Sequence, residues 1–516
     1  MLTNYDPEAN SPNLVLGLGN DPTLQQKTEL ERMGRERPKV FSTALEEVLF
    51  VASMVMSMLM SEYFVSGFNI FLPLVSVELH IPDSAQVWPS SVFSLVTGSF
   101  LLPFGRIADI YGGFIVFTGG LVWYLVWTII AGFSQNYHML IAARALQGFG
   151  PAAFLPATMM ILGKTYRPGP RKNLIFGIYG AFAPLGFYLG IIMGGITGDL
   201  LSWRWYFWLG AIIIFVVCLG GTYSIPRDMS KTVGGDMDYW GVVITVPALV
   251  LIVFALTDGA HAPEGWRTSY IIATLVLGVL LVGVATYVEG WVSSHPLLPG
   301  SLFKPKHMKT LVVSLTFAYG TWGVFMYYAS FYLTNVMKYS TLQTALAFTP
   351  MAAGGVILCT VGGFTLHILP GRLLLVLSGA GYLISVLMFA LIPENGSYWA
   401  YILPAMIGST VGIDITYNVT NVFITTNVPA KNQGAAGALI NTLLFLPISL
   451  FLGLADVVAA HYEPMGERTS YKAALWFGTG CAVAALVLFC FIDTGKAESQ
   501  LRVEEREQGQ QGKSKT

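Results

Sequence analysis

The sequence predicts an all-α membrane protein of fourteen spans, on three observations. First, 54% of the 516 residues are hydrophobic and only 11% are charged, whereas a soluble globular chain carries about 25% charged residues. Second, from Val48 to Ile492 the charges fall in short clusters between apolar blocks, while both tails are polar. That is the pattern of a chain whose solvent is mostly lipid. Third, the 55 glycines suit helices that pack closely within a bilayer. Blocks of this length must be helical, because lipid satisfies no open backbone group and barrel strands alternate at about half the length.

A span takes roughly 20 mostly apolar residues. The apolar blocks place the first seven near 48–75, 86–104, 112–133, 138–162, 174–199, 204–224 and 239–257. The other seven lie near 269–290, 310–334, 344–366, 372–393, 399–424, 435–460 and 472–493. With both termini cytoplasmic, 22 of the 28 Lys and Arg fall on the cytoplasmic side. Arg204, Arg267, Lys338, Arg468 and Lys472 lie outside, and Arg144 lies within a span. The positive-inside rule therefore sets both ends in the cytoplasm, as an even span count requires. The cluster Trp203-Arg-Trp-Tyr-Phe-Trp208 then reads as an interfacial aromatic belt. Residues 1–46 and 496–516 are polar and of mixed charge and read as disordered tails. No signal peptide precedes the first apolar run.

Two loops match across the chain. Gly105-Arg-Ile-Ala-Asp109-Ile-Tyr-Gly-Gly113 aligns without a gap on Gly363-Phe-Thr-Leu-His367-Ile-Leu-Pro-Gly371, and Pro168–Gly177 parallels Pro429–Gly437 with one gap. Spans 1–6 then correspond to 9–14. This gives a six-helix half over 47–225, a two-helix insert over 226–300 and a second six-helix half over 301–495. Such repeats suit a transporter that binds its solute at the midplane and rocks one half against the other.

Three ionisable residues lie deep within spans: Glu62 midway along span 1, Asp414 midway along span 12, and Arg144 in span 4. A charge at a helix centre costs about 2.5–3.5 kcal/mol on insertion scales, so each is expected to face a cavity or a partner. Burial opposes the ionised carboxylate and a neighbouring guanidinium favours it; a group between those influences can load and release a proton. By the repeat, span 12 corresponds to span 4, so Asp414 and Arg144 are expected to face one cavity from opposite halves. Thr410, Asp414, Tyr417, Asn418, Asn421 and Thr425 form a polar stripe at helical spacing. Glu62, Ser66 and Asn69 repeat it more weakly in span 1. The plainer alternative is that these groups only join helices by hydrogen bonds. In span 9, Tyr319, Trp322, Tyr327 and Tyr328 suit either the lining of an apolar cavity or contact with lipid and neighbouring helices, and the first two are kept as cavity candidates. Glycines at 186, 190, 194 and 198 make a ridge on span 5 that admits a neighbouring helix. Asn395-Gly-Ser397 is a glycosylation sequon.

These residues resemble the major facilitator superfamily, in particular its fourteen-span drug:proton antiporter branch. Gly105-x-x-Ala-Asp109-x-x-Gly112 is similar to the family's loop signature after span 2, and Arg144-Ala-Leu-Gln147-Gly148-Phe-Gly150 to its span 4 motif. Pro184 with Gly186, Gly190, Gly194 and Gly198 resembles the antiporter signature of span 5, and Asp236-x-Asp238-Tyr-Trp-Gly241 the opening of span 7 in that branch. Phe41–Phe50, Asp414–Asn418 and Gln433–Gly437 are similar to a fungal group. It includes low-affinity ammonium facilitators, boron and aminotriazole exporters and efflux pumps of metabolite clusters. The resemblance covers roughly 45–495 and implies the major facilitator fold. It also implies gating roles for Gly105, Asp109, Gly112, Gln147, Gly148, Pro184, Gly186, Gly190 and Gly194. One departure stands out: Ile110, Gly113 and Phe114 replace the basic residues that usually follow the acid.

The expected function is proton-coupled export of a small organic compound, a secondary metabolite or a xenobiotic, from a monomer in the plasma membrane. A facilitator of a very small solute such as ammonium or borate is the alternative. A receptor or scaffold lacks a soluble signalling domain in these tails. No Gly-rich loop ending in Gly-Lys-Ser/Thr binds a nucleotide, no paired His or Cys suggests a metal, and the net charge of −1 offers nothing to nucleic acid. No enzyme activity and no cofactor are expected; the partners are substrate, protons and lipid.

Overall fold

The structure, a computed structural model, describes residues 36–166, 170–226, 237–293, 296–365, 369–394, 396–427 and 433–493. Asn395, His367, Asp236 and most of both tails lie outside the described residues. A helix occupies each expected stretch. The first eight are α1 (Ala44–Glu78), α2 (Trp88–Tyr111), α3 (Gly113–Gly132), α4 (Tyr137–Thr165), α5 (Pro170–Leu200), α6 (Trp203–Ser224), α7 (Tyr239–Asp258) and α8 (Ser269–Tyr287). Then come α9 (Met308–Phe331), a short helix Thr341–Ala347, α10 (Thr349–Thr365), α11 (Gly371–Leu391), α12 (Leu403–Asn427), α13 (Gln433–Tyr462) and α14 (Glu467–Cys490).

Among the described residues, twelve of these helices are long and apolar enough to cross a membrane. The expected count of fourteen is not reached by this measure: α10 and α12 fall short of it, for different reasons. The tenth stretch is divided at Phe348 into the seven-residue helix and α10, of 17 residues. The twelfth carries the polar stripe, which lowers its hydropathy.

Local chemistry sets the helix starts. Thr43 caps α1, its Oγ1 accepting from the Glu46 N–H at 3.2 Å, while the Ser42 N–H donates back to Glu46 Oε2 at 2.9 Å. Asn136 caps α4 and Asp238 caps α7 in the same manner. Between α2 and α3 the chain turns on Gly112 at φ 95°, a conformation that only glycine adopts without strain.

Packing repeats along the chain. In the first six helices α1 packs on α5 and α6, α4 on α2 and α3, and α3 on α6. Each of these pairings recurs eight helices later: α9 on α13 and α14, α12 on α10 and α11, and α11 on α14. The two sets meet along two seams, α2 with α13 and α5 with α10. Helices α7 and α8 pair with each other, and α7 also rests on α2 and α13. They are peripheral: 22% of the apolar window containing α8 is buried, against 72% for α1.

Three of the four glycines of the α5 ridge seat on α1, while Gly198 meets Thr341 of the short helix. A Cβ added at Gly186 would strike the backbone of Leu59, and one at Gly194 would lie 2.6 Å from the Gly67 carbonyl oxygen. At Gly190 it would lie 2.9 Å from Tyr63 Cα. No backbone can give way there by rotating a side chain. Gly190→Val is therefore expected to destabilise the protein by at least about 1–3 kcal/mol, seen as a lowered unfolding temperature of the purified protein. An unchanged temperature would show that α1 and α5 need not touch.

Candidate functional site

The two helix sets line one cleft between them. α1 contributes Met58 and Glu62, α5 contributes Pro184 and Phe187, α9 contributes Trp322, and α12 contributes Thr410, Asp414, Tyr417 and Asn418. Glu62 and Asp414 thus reach one space from helices eleven apart in the chain order.

Their environments differ. Glu62 is 6% exposed, and its Oε1 has no hydrogen-bond partner among the described residues. The cleft lining beside it on α1 and α5 is Met58, Gly180, Ala183, Pro184 and Phe187. Asp414 is held: Thr410 Oγ1 donates to its Oδ2 at 2.7 Å, one helical turn away. Room for that carboxylate comes from Gly355 of α10, where an added Cβ would lie 3.1 Å from Asp414 Oδ2 and 3.4 Å from Pro184 Cβ. Three helices from the two sets therefore converge on one glycine. Asn418 and Asn421 turn their amides back onto the carbonyls of Asp414 and Tyr417, at 2.8 and 2.9 Å.

The cleft is shut at one end along the α5–α10 seam. Beyond Pro184, Gly195 and Gly198 of α5 press on the short helix Thr341–Ala347. Toward the end that carries Glu47, added Cβ atoms at Gly177 and Gly180 would meet nothing within 4 Å.

Arg144 corrects the sequence reading, because it does not line this cleft. It is 1% exposed and lies between the rings of Phe68 and Phe93, 4.3 and 4.4 Å from their centroids. Its nitrogens donate to the Pro89 carbonyl at 3.2 Å, the Phe64 carbonyl at 3.2 Å and Gln147 Oε1 at 2.8 Å. Gln147 passes the chain on to Thr128 Oγ1 at 2.8 Å. Gly148 lets α2 approach, since its Cβ would stand 2.8 Å from the Phe93 carbonyl oxygen. The span 4 motif thus knits α1, α2, α3 and α4 together. A charge in lipid needs donors and acceptors matched, and backbone carbonyls met that need here before a carboxylate did.

Other expectations divide the same way. Trp322 lines the cleft beside Phe187, ring centroids 5.2 Å apart, whereas Tyr319 and Asn421 do not line it, and Tyr319 is fully buried within its own helix set. Tyr327 and Tyr328 are also buried, so neither faces lipid. Ser66 and Asn69 join helices: Ser66 Oγ donates to the Phe187 carbonyl at 2.7 Å, and Asn69 Oδ1 accepts from Ser90 Oγ at 2.6 Å. The side chain of Thr425 lies outside the described residues. In the aromatic cluster Trp205 is exposed, but Trp203, Tyr206 and Phe207 are core. Trp203 donates to Glu78 at 2.9 Å, which also pairs with Arg204 at 2.7 Å. At the Glu47 end, Asp109 is half-buried with Arg106 and Lys164 as its charged neighbours. Lys164, from α4, supplies positive charge beside Asp109 where Ile110, Gly113 and Phe114 supply none. Gly105 sits where α2 meets α13, its Cβ position 3.6 Å from that of Ala438.

Three polar groups escaped the sequence reading. Glu47 is buried and bridges Arg171 of α5, at 2.5 Å, to the Tyr166 hydroxyl, at 3.0 Å. Asp199 ends α5 against the short helix. His261, in the α7–α8 connection, meets Asp456 of α13 at 2.9 Å. A lone acid in the apolar run Ile448–Ala460 was the available signal for Asp456.

A chain with this packing and an internal cleft reached from one end is a multi-pass membrane transporter of small solutes. It belongs to the Major Facilitator Superfamily, whose family model matches residues 50–452. The chain is 30% identical to the low affinity ammonium transporter of Saccharomyces cerevisiae over 86% of its own length and 87% of that protein's. It is 28% identical to the efflux pump terJ of Aspergillus terreus, covering 89% and 90%. With the aminotriazole resistance protein of Saccharomyces cerevisiae the identity is 29%, covering 88% and 85%. Among solved structures it is similar in fold to a POT family transporter in complex with a thioalcohol-conjugated peptide, with TM-score 0.64, 14% identity and coverage of 88% and 98%.

Two predictions follow from the buried charges. Arg144→Ala orphans Gln147 Oε1 and two carbonyls, and each unsatisfied buried group costs about 1–3 kcal/mol. Loss of monodisperse protein on size exclusion is expected, and a stable variant would contradict the structural role. Asp456 holds the His261 imidazole above its ordinary range, helped by the negative charge of Glu463 and Asp258 and opposed by burial. The stabilisation is therefore full below about pH 6.5 for as long as Asp456 stays ionised, and is lost as pH rises through the raised value. Wild type is expected to exceed His261→Gln by on the order of 1 kcal/mol in acid, with the gap closing in alkali. A gap independent of pH would exclude the ionic tie.

Proposed function

We propose that the protein is a proton-coupled secondary transporter that exports a small organic compound, a metabolite or xenobiotic, by alternating access. In this reading 47–225 and 301–495 are two six-helix halves, 226–300 is an insert, and all fourteen helical stretches span the membrane. The positive-inside count sets both termini and the Glu47 end in the cytoplasm, with the plasma membrane as the site of action. The cleft then faces inward.

The observation that carries this reading is the convergence of Glu62 and Asp414 on one cleft from the two halves. A carboxylate that can be exposed to either side in turn can carry a proton across, and a shift of the halves changes which side it sees. Glu62, with an unmatched oxygen in apolar surroundings, is the primary coupling group; Asp414, held by Thr410, joins coupling to recognition. Trp322, Phe187 and Tyr417 supply flat apolar contact for an amphipathic solute. Gly105, Asp109, Gly112, Gln147, Gly148, Pro184 and the α5 glycines act as the gating framework.

A second reading draws on the 30% identity to a low affinity ammonium transporter: facilitated movement of a very small solute, with the two carboxylates recognising a cation. Vesicles bearing the protein, given labelled ammonium or lipophilic cations with and without an imposed pH gradient, separate the two. Gradient-driven movement of the larger compounds is expected. Asp414→Asn should reduce that movement at least tenfold while leaving the protein monodisperse. Full gradient-driven transport by the variant would remove Asp414 from the mechanism, and ammonium flux indifferent to the gradient would favour the facilitator.

A further inference from the structure

At the closed end, α5 finishes against a segment belonging to the other helix set, and both oxygens of Asp199 are engaged there. Oδ1 accepts from the Thr341 N–H at 3.0 Å and Oδ2 from the Leu342 N–H at 3.1 Å. These are the first two N–H groups of the helix Thr341–Ala347, which no helix can satisfy internally. The third is met locally, since the Gln343 N–H donates to Ser340 Oγ at 3.2 Å, and Gln343 Oε1 accepts from the Ser340 N–H at 2.9 Å. The segment therefore caps itself at one position and leaves two to an acid 142 residues away.

The surface beneath is shaped for this contact. A Cβ on Gly198 would lie 2.6 Å from Thr341 Cγ2, and one on Gly195 would reach 3.2 Å from Leu342 Cα and run into Ala345. Glycine at both positions lets the segment lie flat on α5, which brings its first turn within reach of Asp199. Thr341 is only 6% exposed. Nearer the other end of α5, added Cβ atoms at Gly177 and Gly180 would meet nothing within 4 Å among the described residues.

We infer that Asp199 is a gating residue for transport: it latches α5 to the first turn of the Thr341–Ala347 segment and holds the cleft shut at that end. The inference rests on the alternating-access reading. For the cleft to open there the segment must leave α5, and both N–H groups must exchange Asp199 for water. A contact made in one state only biases the equilibrium toward that state by the whole of its worth. Losing a cap of this kind is worth close to a tenfold change in population.

The test places spin labels at Leu201→Cys and Leu346→Cys, both exposed positions flanking the latch, in full-length protein from which the native cysteines have been removed. Inter-label distances are recorded in nanodiscs. Asp199→Ala should raise the long-distance population, relative to the short one, about tenfold over the parent. Asp199→Asn, which keeps one acceptor oxygen, should fall between. Thr341→Pro removes one of the two donors at a first-turn position where proline is well accepted; it should shift the population the same way. Combined with Asp199→Ala it should add less than its separate effect, because both remove one contact. If Asp199→Ala does not fold, the Thr341→Pro and Asp199→Asn shifts decide the matter. A parent with two distances whose weights none of these variants changes would overturn the latch alone. A single distance in the parent and every variant would overturn both the latch and alternating access.

Discussion

The seat of α5 on α1 is the contact on which the rest of the arrangement depends. Three glycines one turn apart bring two backbones together, with Gly67 on the facing helix completing the fit. That closeness fixes the rotation of both helices at once. α1 can then present Glu62 to the cleft only from the side next to Pro184 and Phe187, and α5 can then offer only its opposite edge to α10. In lipid, apolar attraction between helices is weak, so intimate packing must supply what water supplies elsewhere. The ridge is therefore a rigid bearing, and it explains why the carboxylate of α1 and the closing surface of α5 keep a constant relation.

Polar side chains in this protein fall into two populations, and the difference is one of partners. Ser66, Asn69, Arg144 and Gln147 are consumed by carbonyls and side chains of adjacent helices, at distances from 2.6 to 3.2 Å. They fix helices and are closed to solvent. Glu62 and Asp414 stand against glycine, proline and aromatic surfaces, with fewer internal claims on them. Burial alone does not separate the two groups; the number of lone pairs and protons left without an internal answer does.

Much of this was legible in the sequence, and the limits have physical causes. Apolar block length fixed the helices, and the recurrence of Gly105–Gly113 at Gly363–Gly371 pointed to the repeated pairings. Glu62 and Asp414 were readable because a charge amid apolar residues needs a reason. Arg144 satisfied the same test and was misplaced: helical phase cannot say whether a guanidinium will meet a carboxylate or two neighbouring carbonyls and an amide oxygen of its own helix. Asp199 was invisible for another reason. Acids at helix ends are common on any surface, and its partners are backbone N–H groups, which carry no residue signature. His261 and Asp456 pair across 195 residues, a separation no local pattern encodes.

The resting place of α7 against both α2 and α13 makes the molecule unequal on its two flanks. The helix pairings are related by an eight-helix offset, but the two seams do not share an environment. One is backed by protein, so residues along its outer side see a second layer of side chains. Among the described residues no helix backs the α5–α10 seam in that way. Its outer edge is left to hydrocarbon tails, whose disorder and thickness vary with temperature and lipid composition. A chain built on a duplicated plan thus has one seam insulated from the bilayer and one that feels its physical state directly.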